Sequence, residues 1–95
     1  MESVNIKIGR VRFDRAEYDA DNDILYLHVG EPSAADGEET PEGHVLRYAP
    51  GTTRIVGLTL LGARRILERD GRLMITVPET LETSVEQLAP ALAAI

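Results

Sequence analysis

Val4, Ile6 and Ile8 alternate with polar residues at period two, and Val11 and Phe13 resume the alternation one residue out of phase beyond Gly9. Alternation of this kind marks a half-buried strand, and the slip predicts a bulge at Gly9-Arg10. Glu17-Tyr18-Asp19-Ala20-Asp21-Asn22-Asp23 is a cluster of turn formers ahead of the β-prone run Ile24 to Val29, so the two runs read as a hairpin. In its second strand Leu25, Leu27 and Val29 share the face assigned to the core, while Ile24, Tyr26 and His28 share the other.

His44 to Ala49 and Arg54 to Leu60 form a second hairpin around Pro50-Gly51-Thr52-Thr53. Val56, Leu58 and Leu60 give its second strand an apolar face, and Gly57 opposite them marks a bulge or a point of close packing. Gly62 to Asp70 reads as a short helix with Ile66 and Leu67 inward, and Gly71 is placed to end it in the left-handed conformation. Arg72 to Val77 reads as a strand stopped by Pro78. Thr83-Ser84-Val85-Glu86 then offers a capping-box start to a last helix burying Val85, Leu88 and Leu92, with Pro90 ending or kinking it. The pattern predicts one α+β domain over residues 1–95: a mostly antiparallel sheet of five or six strands, a short helix between the last strands and a C-terminal helix. Leu61 to Gly71 is borderline in length for a parallel crossover, so the orientation of the last strand stays open.

At 95 residues and 43% hydrophobic content the chain suits a single small core whose stability is thin, which makes oligomerisation, and a homodimer first, an expected aid. It contains no cysteine, so disulfides, thiolate metal ligands and cysteine nucleophiles are excluded. The first residues lack a basic stretch followed by an apolar one, and no apolar run nears the roughly 20 residues that span a bilayer, so a cytoplasmic location is expected, with no membrane partner.

Net charge is −6, and residues 1–50 hold 11 acids against 5 bases while residues 51–95 hold 5 of each. Gly30 to Gly43 alone carry five acids and no base, which predicts a solvated acidic loop. Such a field repels phosphate and attracts cations, so nucleic acid is not expected as the main ligand and a basic protein is.

The blocks Tyr18-Asp19-Ala20-Asp21-Asn22-Asp23-Ile24-Leu25-Tyr26-Leu27, Glu38-Glu39, Gly43-His44-Val45-Leu46-Arg47-Tyr48 and Arg54-Ile55-Val56-Gly57-Leu58 stand in an order and spacing that resembles the bacterial family catalogued as domain of unknown function 2283. The match spans roughly residues 11–61. Some members are thought to be encoded beside small toxin-like partners, so the resemblance implies an antitoxin-like role by association only.

Candidate chemistry is sparse. Asp19, Asp21 and Asp23 occupy the first, third and fifth positions of a calcium-loop pattern, but Ile24 stands where the sharp-turn glycine is needed and Gly30 where the distal glutamate belongs. Asx residues favour tight turns on their own, and the turn reading accounts for both residue types and spacing. His28 and His44 are the only histidines; a metal held between them with Glu38 or Glu42 has no enforcing spacing. Ser3, Ser33 and Ser84 lack a nucleophile elbow, and no glycine-rich loop leads into a helix to hold phosphate. Arg64, Arg65, Arg69 and Arg72 make the short helix region basic, with Arg65 and Arg69 on one face; no aromatic residues interleave to stack bases. The expected function is therefore a non-enzymatic interaction module without cofactor or metal, with Glu38, Glu39, Glu42, Arg65 and Arg69 as partner-binding residues. The alternative is a small metal-assisted or acid/base enzyme using His28, His44 and acidic residues.

Overall fold

The computed structural model describes residues 2–31, 33–76, 80–84, 88, 91 and 92. Six strands form one antiparallel sheet: β1 (Glu2–Ile8), β2 (Val11–Asp19), β3 (Ile24–His28), β4 (Asp36–Glu39), β5 (Val45–Tyr48) and β6 (Ile55–Leu61), in the spatial order β1-β2-β3-β6-β5-β4. The helix α1 (Ala63–Asp70) follows β6, and β7 (Arg72–Thr76) pairs with β8 (Thr80–Ser84) as a separate two-stranded sheet. The predicted α+β class and antiparallel sheet are what the chain forms.

Four details differ from the sequence expectation. Gly9-Arg10 is a two-residue turn, with Ile8 directly opposite Val11, so the predicted bulged strand is a hairpin. The irregularity lies further along, where Ser3 faces Arg15 but Ile6 faces Phe13, which places one extra residue in β1. The acidic segment 30–43 is not all loop, because Asp36–Glu39 pair with β5 and close the sheet at one edge. Finally, β7 does not join the main sheet, and Thr83 and Ser84 belong to β8 rather than to a helix start. Val77, Pro78, Val85 and Pro90 lie outside the described residues, as does most of the predicted last helix; Leu88 and Ala91 are buried in the core and Leu92 packs against it.

One face of the sheet is the core. Ile6, Phe13, Leu25, Leu27, Leu46 and Leu60 meet Ala63 and Leu67 of α1 and Leu73 and Ile75 of β7, all nearly inaccessible to water. Gly71 ends α1 in the left-handed conformation at φ 73, its N–H donating to the Leu67 carbonyl at 2.8 Å, as predicted. Gly57 shows both features its position suggested. Tyr48 faces Ile55 while Arg47 faces Gly57, leaving Val56 unmatched, and a β-carbon on Gly57 would lie 3.2 Å from the Leu27 carbonyl oxygen. Among the described residues no helix is long and apolar enough to cross a membrane.

Candidate functional site

The aspartate-rich turn joining β2 to β3 is structural. Asp19 accepts from both the backbone N–H (3.3 Å) and the side-chain amide (2.8 Å) of Asn22, which closes the turn. Asp23, at φ 54 the one described non-glycine residue with positive φ, faces α1. Its carboxylate accepts the backbone N–H groups of Arg64 at 2.9 Å and Arg65 at 3.0 Å, and its carbonyl accepts the Gly62 N–H at 2.7 Å. The helix begins at Gly62, which has no side chain to satisfy its own first amides, so Asp23 caps it from 41 residues away.

The Tyr18 hydroxyl donates to the same carboxylate at 2.8 Å, and the Arg64 guanidinium sits 5.0 Å from the Tyr18 ring centre. Burial opposes charge on Asp23, but the Arg65 and Arg64 amides, the Tyr18 hydroxyl and the Arg64 cation outweigh it and hold the carboxyl below its ordinary value. Burial, the bond to Asp23 and its negative charge push Tyr18 up. Three of the roughly four acceptor directions of the Asp23 carboxylate are thereby used on the protein itself.

The two histidines lie on opposite faces of the sheet. His44 is in phase with Leu46 and 1% exposed, whereas His28 is in phase with Tyr26 and points away from the core. The turn that delivers His44 is closed by Thr40, whose N–H donates to the His44 carbonyl at 2.7 Å and whose hydroxyl accepts the His44 N–H at 3.1 Å. His44 Nδ1 accepts the Leu61 N–H at 3.1 Å. An amide can only donate, so Nδ1 carries the lone pair and the neutral ring holds its proton on Nε2. Burial drives His44 below its ordinary value against the opposing pull of Glu42. Burial and then the Arg47 cation do the same to His28, against Glu17.

The His44 arrangement has a measurable consequence. Below pH 6.5 the unfolded chain takes up a proton at this position that the folded chain resists, so its contribution is complete above that pH and declines as pH falls towards the folded-state value. Urea midpoints at pH 7.5 and 5.5 should differ, and the difference should shrink in His44→Gln, whose side-chain oxygen can still accept from Leu61. An unchanged difference would assign the acid sensitivity elsewhere, with His28 the next group to test.

Beside His44 opens a cleft of about 550 Å³ between the 40–44 turn, the end of α1 and β7. Glu42, Arg69 and Arg72 stand at its charged margin, and Ile66, Leu73 and Met74 supply its apolar wall. Arg69 is bound in a two-point contact to Asp70, Nε to Oδ1 at 3.0 Å and Nη2 to Oδ2 at 2.9 Å, which removes much of its charge from the opening.

The five residues expected to bind a partner are thus distributed. Glu42 and Arg69 share the cleft. Glu38 and Glu39 lie on the edge strand β4, four and three residues from Glu42 respectively, and are exposed to solvent. Arg65 stands on the first turn of α1 with its guanidinium folded over Gly62, where an added β-carbon would lie 2.5 Å from Nη2. Asp36, the first residue of β4, accepts the Gly51 N–H at 3.1 Å and ties the edge to the neighbouring turn. No group of three or more histidine, aspartate or glutamate side chains suited to a metal occurs among the described residues. The sheet edge was not visible in the sequence because Asp36-Gly37-Glu38-Glu39 has no apolar alternation, although its acidity was.

Comparison with family models, curated proteins and solved structures finds no match to this chain.

Proposed function

We propose that the chain is a non-enzymatic protein–protein interaction module that holds a basic, extended segment of its partner along the acidic edge of the sheet. The observation that carries this reading is β4. It is the last strand on its side of the sheet, all four of its residues are exposed, and all but Gly37 are acids. In an antiparallel ladder alternate residues of an edge strand turn their N–H and C=O groups outward, so β4 offers main-chain bonds to an added strand. Its charge discriminates among strands. Two copies of β4 would set carboxylates against each other, which disfavours pairing with itself and is a known way of keeping edges from aggregating. A strand with lysine or arginine at alternate positions carries them on one face, where they meet Asp36 and Glu38 on one side of the sheet or Glu39 on the other, with Glu42 beside the cleft past the end of β4. An antitoxin-like role fits this chemistry, with a basic toxin-like protein as the partner.

The probe is a short synthetic peptide alternating lysine and valine. It should bind with chemical-shift changes and slowed amide exchange in β4, and association should slow as salt rises, since attraction between surface charges is screened over roughly 8 Å at physiological ionic strength. Replacing Glu38, Glu39 and Glu42 together by glutamine should slow association by about tenfold at low salt while leaving the melting curve nearly unchanged, because exposed charges contribute little to stability. Failure of the basic peptide to bind, or an association rate indifferent to both salt and the triple substitution, would overturn the reading.

A further inference from the structure

The core-forming side chains of α1, β7, Leu88 and Ala91 all belong to one face of the six-stranded sheet, so no described element covers the other. Cross-strand register arranges the uncovered face in three rows. The first runs Arg15, His28, Gly57, Arg47, Gly37 across β2, β3, β6, β5 and β4. The second, two residues along, runs Glu17, Tyr26, Thr59, Val45, Glu39, and the third is Asp19, Ile24, Leu61. The first row is basic without a carboxylate. The second has an acid at each end and an apolar or amphipathic middle. Leu61, 40% exposed, adds one of the two large hydrophobic side chains among the described residues that remain open to water.

Several charges on this face make no ion pair among the described residues. The ion pairs among the described residues are Arg15 with Glu31 at 3.3 Å and Arg69 with Asp70, so Arg47, Glu17 and Glu39 have none. Arg47 is half-buried, and its nearest charge effect is on His28, whose protonation it opposes. A cation held on a partly dry surface without a counter-ion is unfavourable unless something supplies one.

We infer that this face docks a second copy of the chain through a twofold axis that lies between the sheets and runs across the strands, between the first and second rows. Such an interface is isologous, so each contact occurs twice. Rotation about that axis lays the first row of one copy on the second row of the other. Arg15 meets Glu17 of the second copy, and His28 meets its Tyr26. Arg47 meets its Val45 with Glu39 one strand away, within reach given the twist of roughly 30° between stacked sheets. The shapes agree with the charges, because Gly57 and Gly37 in the first row leave gaps opposite Thr59 and Glu39 in the second. An axis along the strands would instead lay basic row on basic row, which excludes that arrangement. A nucleic acid is the poorer occupant, since Glu17, Glu39 and Asp19 flank the basic row on the same face.

The test uses charge inversion. Sedimentation equilibrium from about 1 μM to 1 mM should show monomer and dimer for the wild-type chain. Arg15→Glu with Arg47→Glu gives both of the first two rows acidic side chains, and Glu17→Arg with Glu39→Arg gives both of them basic ones, so each double variant alone should associate at least about tenfold more weakly. Mixed in equal amounts, the two should dimerise again, because each then meets opposite charge at both rows. Dilution of wild-type protein followed by amide chemical shifts needs no substitution, and its changes should map to β3, β5 and β6. A wild-type chain monomeric throughout, double variants that self-associate as tightly as wild type, a mixture that stays monomeric, or shifts confined to α1 and the cleft would each overturn the inference.

Discussion

Leu27→Ala should lower stability by about 2–5 kcal/mol, since removing a large side chain from a tightly packed core costs both transfer energy and the cavity left behind. Leu27 is inaccessible to water and lies in the middle of β3, facing Ala16 on one side and Leu58 on the other. Both neighbours sit on paired strands, so neither can move in without breaking ladder hydrogen bonds, and the cavity stays open. Tyr26, next along the strand, points to the opposite face and is only half-buried. Tyr26→Ala should therefore cost less. The measurement is a pair of urea melts at concentrations low enough to keep the chain monomeric; the opposite ranking would mean that β3 turns its other face to the core.

Much of this was legible because the side-chain period of a strand is two. The alternation of Leu25 and Leu27 against Tyr26 and His28 assigned both faces of β3, although Val29, assigned to the core with the two leucines, lies past the end of the strand and is 38% exposed. The same phase argument marked Gly57 as a bulge or a point of close packing, and Gly71 was placed at the end of α1 by glycine's access to the left-handed conformation. Where the reading failed, the physical signal was weak or belonged to something else. Ile8 and Val11 pair directly across Gly9-Arg10, so a tight turn produced the same break in phase as a bulge would. An edge strand such as β4 buries no face, and hydrophobic periodicity has nothing to report there. β8 contains Thr80, Thr83 and Ser84, residue types that serve equally as β-formers and as helix caps, and only pairing with β7 decides between them.

The candidate site was legible in its charge and not in its geometry. The acidic excess of residues 30–43 pointed to Glu38, Glu39 and Glu42, but the proximity of Glu42 to Arg69 depends on where α1 docks. His28 and His44 lie on opposite faces of the sheet, a separation that the alternative of a site shared between them had not taken into account. The three rows of the open sheet face needed the strand order, because β3 pairs with β6 and not with the strand that follows it in sequence.

Asp23→Ala should also be damaging, at about 1–2 kcal/mol, the cost of removing a helix cap together with the bond to the partly buried Tyr18 hydroxyl. One carboxylate serves two amides of α1 and the Tyr18 hydroxyl, and Gly62 offers nothing in its place. Tyr18→Phe removes a single bond of the three and should cost less, by about 1 kcal/mol. Asp23→Asn keeps one acceptor oxygen and a residue type that tolerates positive φ, so it should fall between wild type and alanine. Acid should mimic the alanine change. Because the carboxyl is held below its ordinary 3.8 in the folded chain, its contribution is present above that pH and is lost as pH falls through the folded-state value. The pH dependence of the wild-type melt in that acid range should therefore flatten in Asp23→Ala, and amide exchange at Arg64 and Arg65 should quicken in the variant at neutral pH. If exchange at those two amides is unchanged, Asp23 is not what holds the start of α1 against the β2–β3 turn.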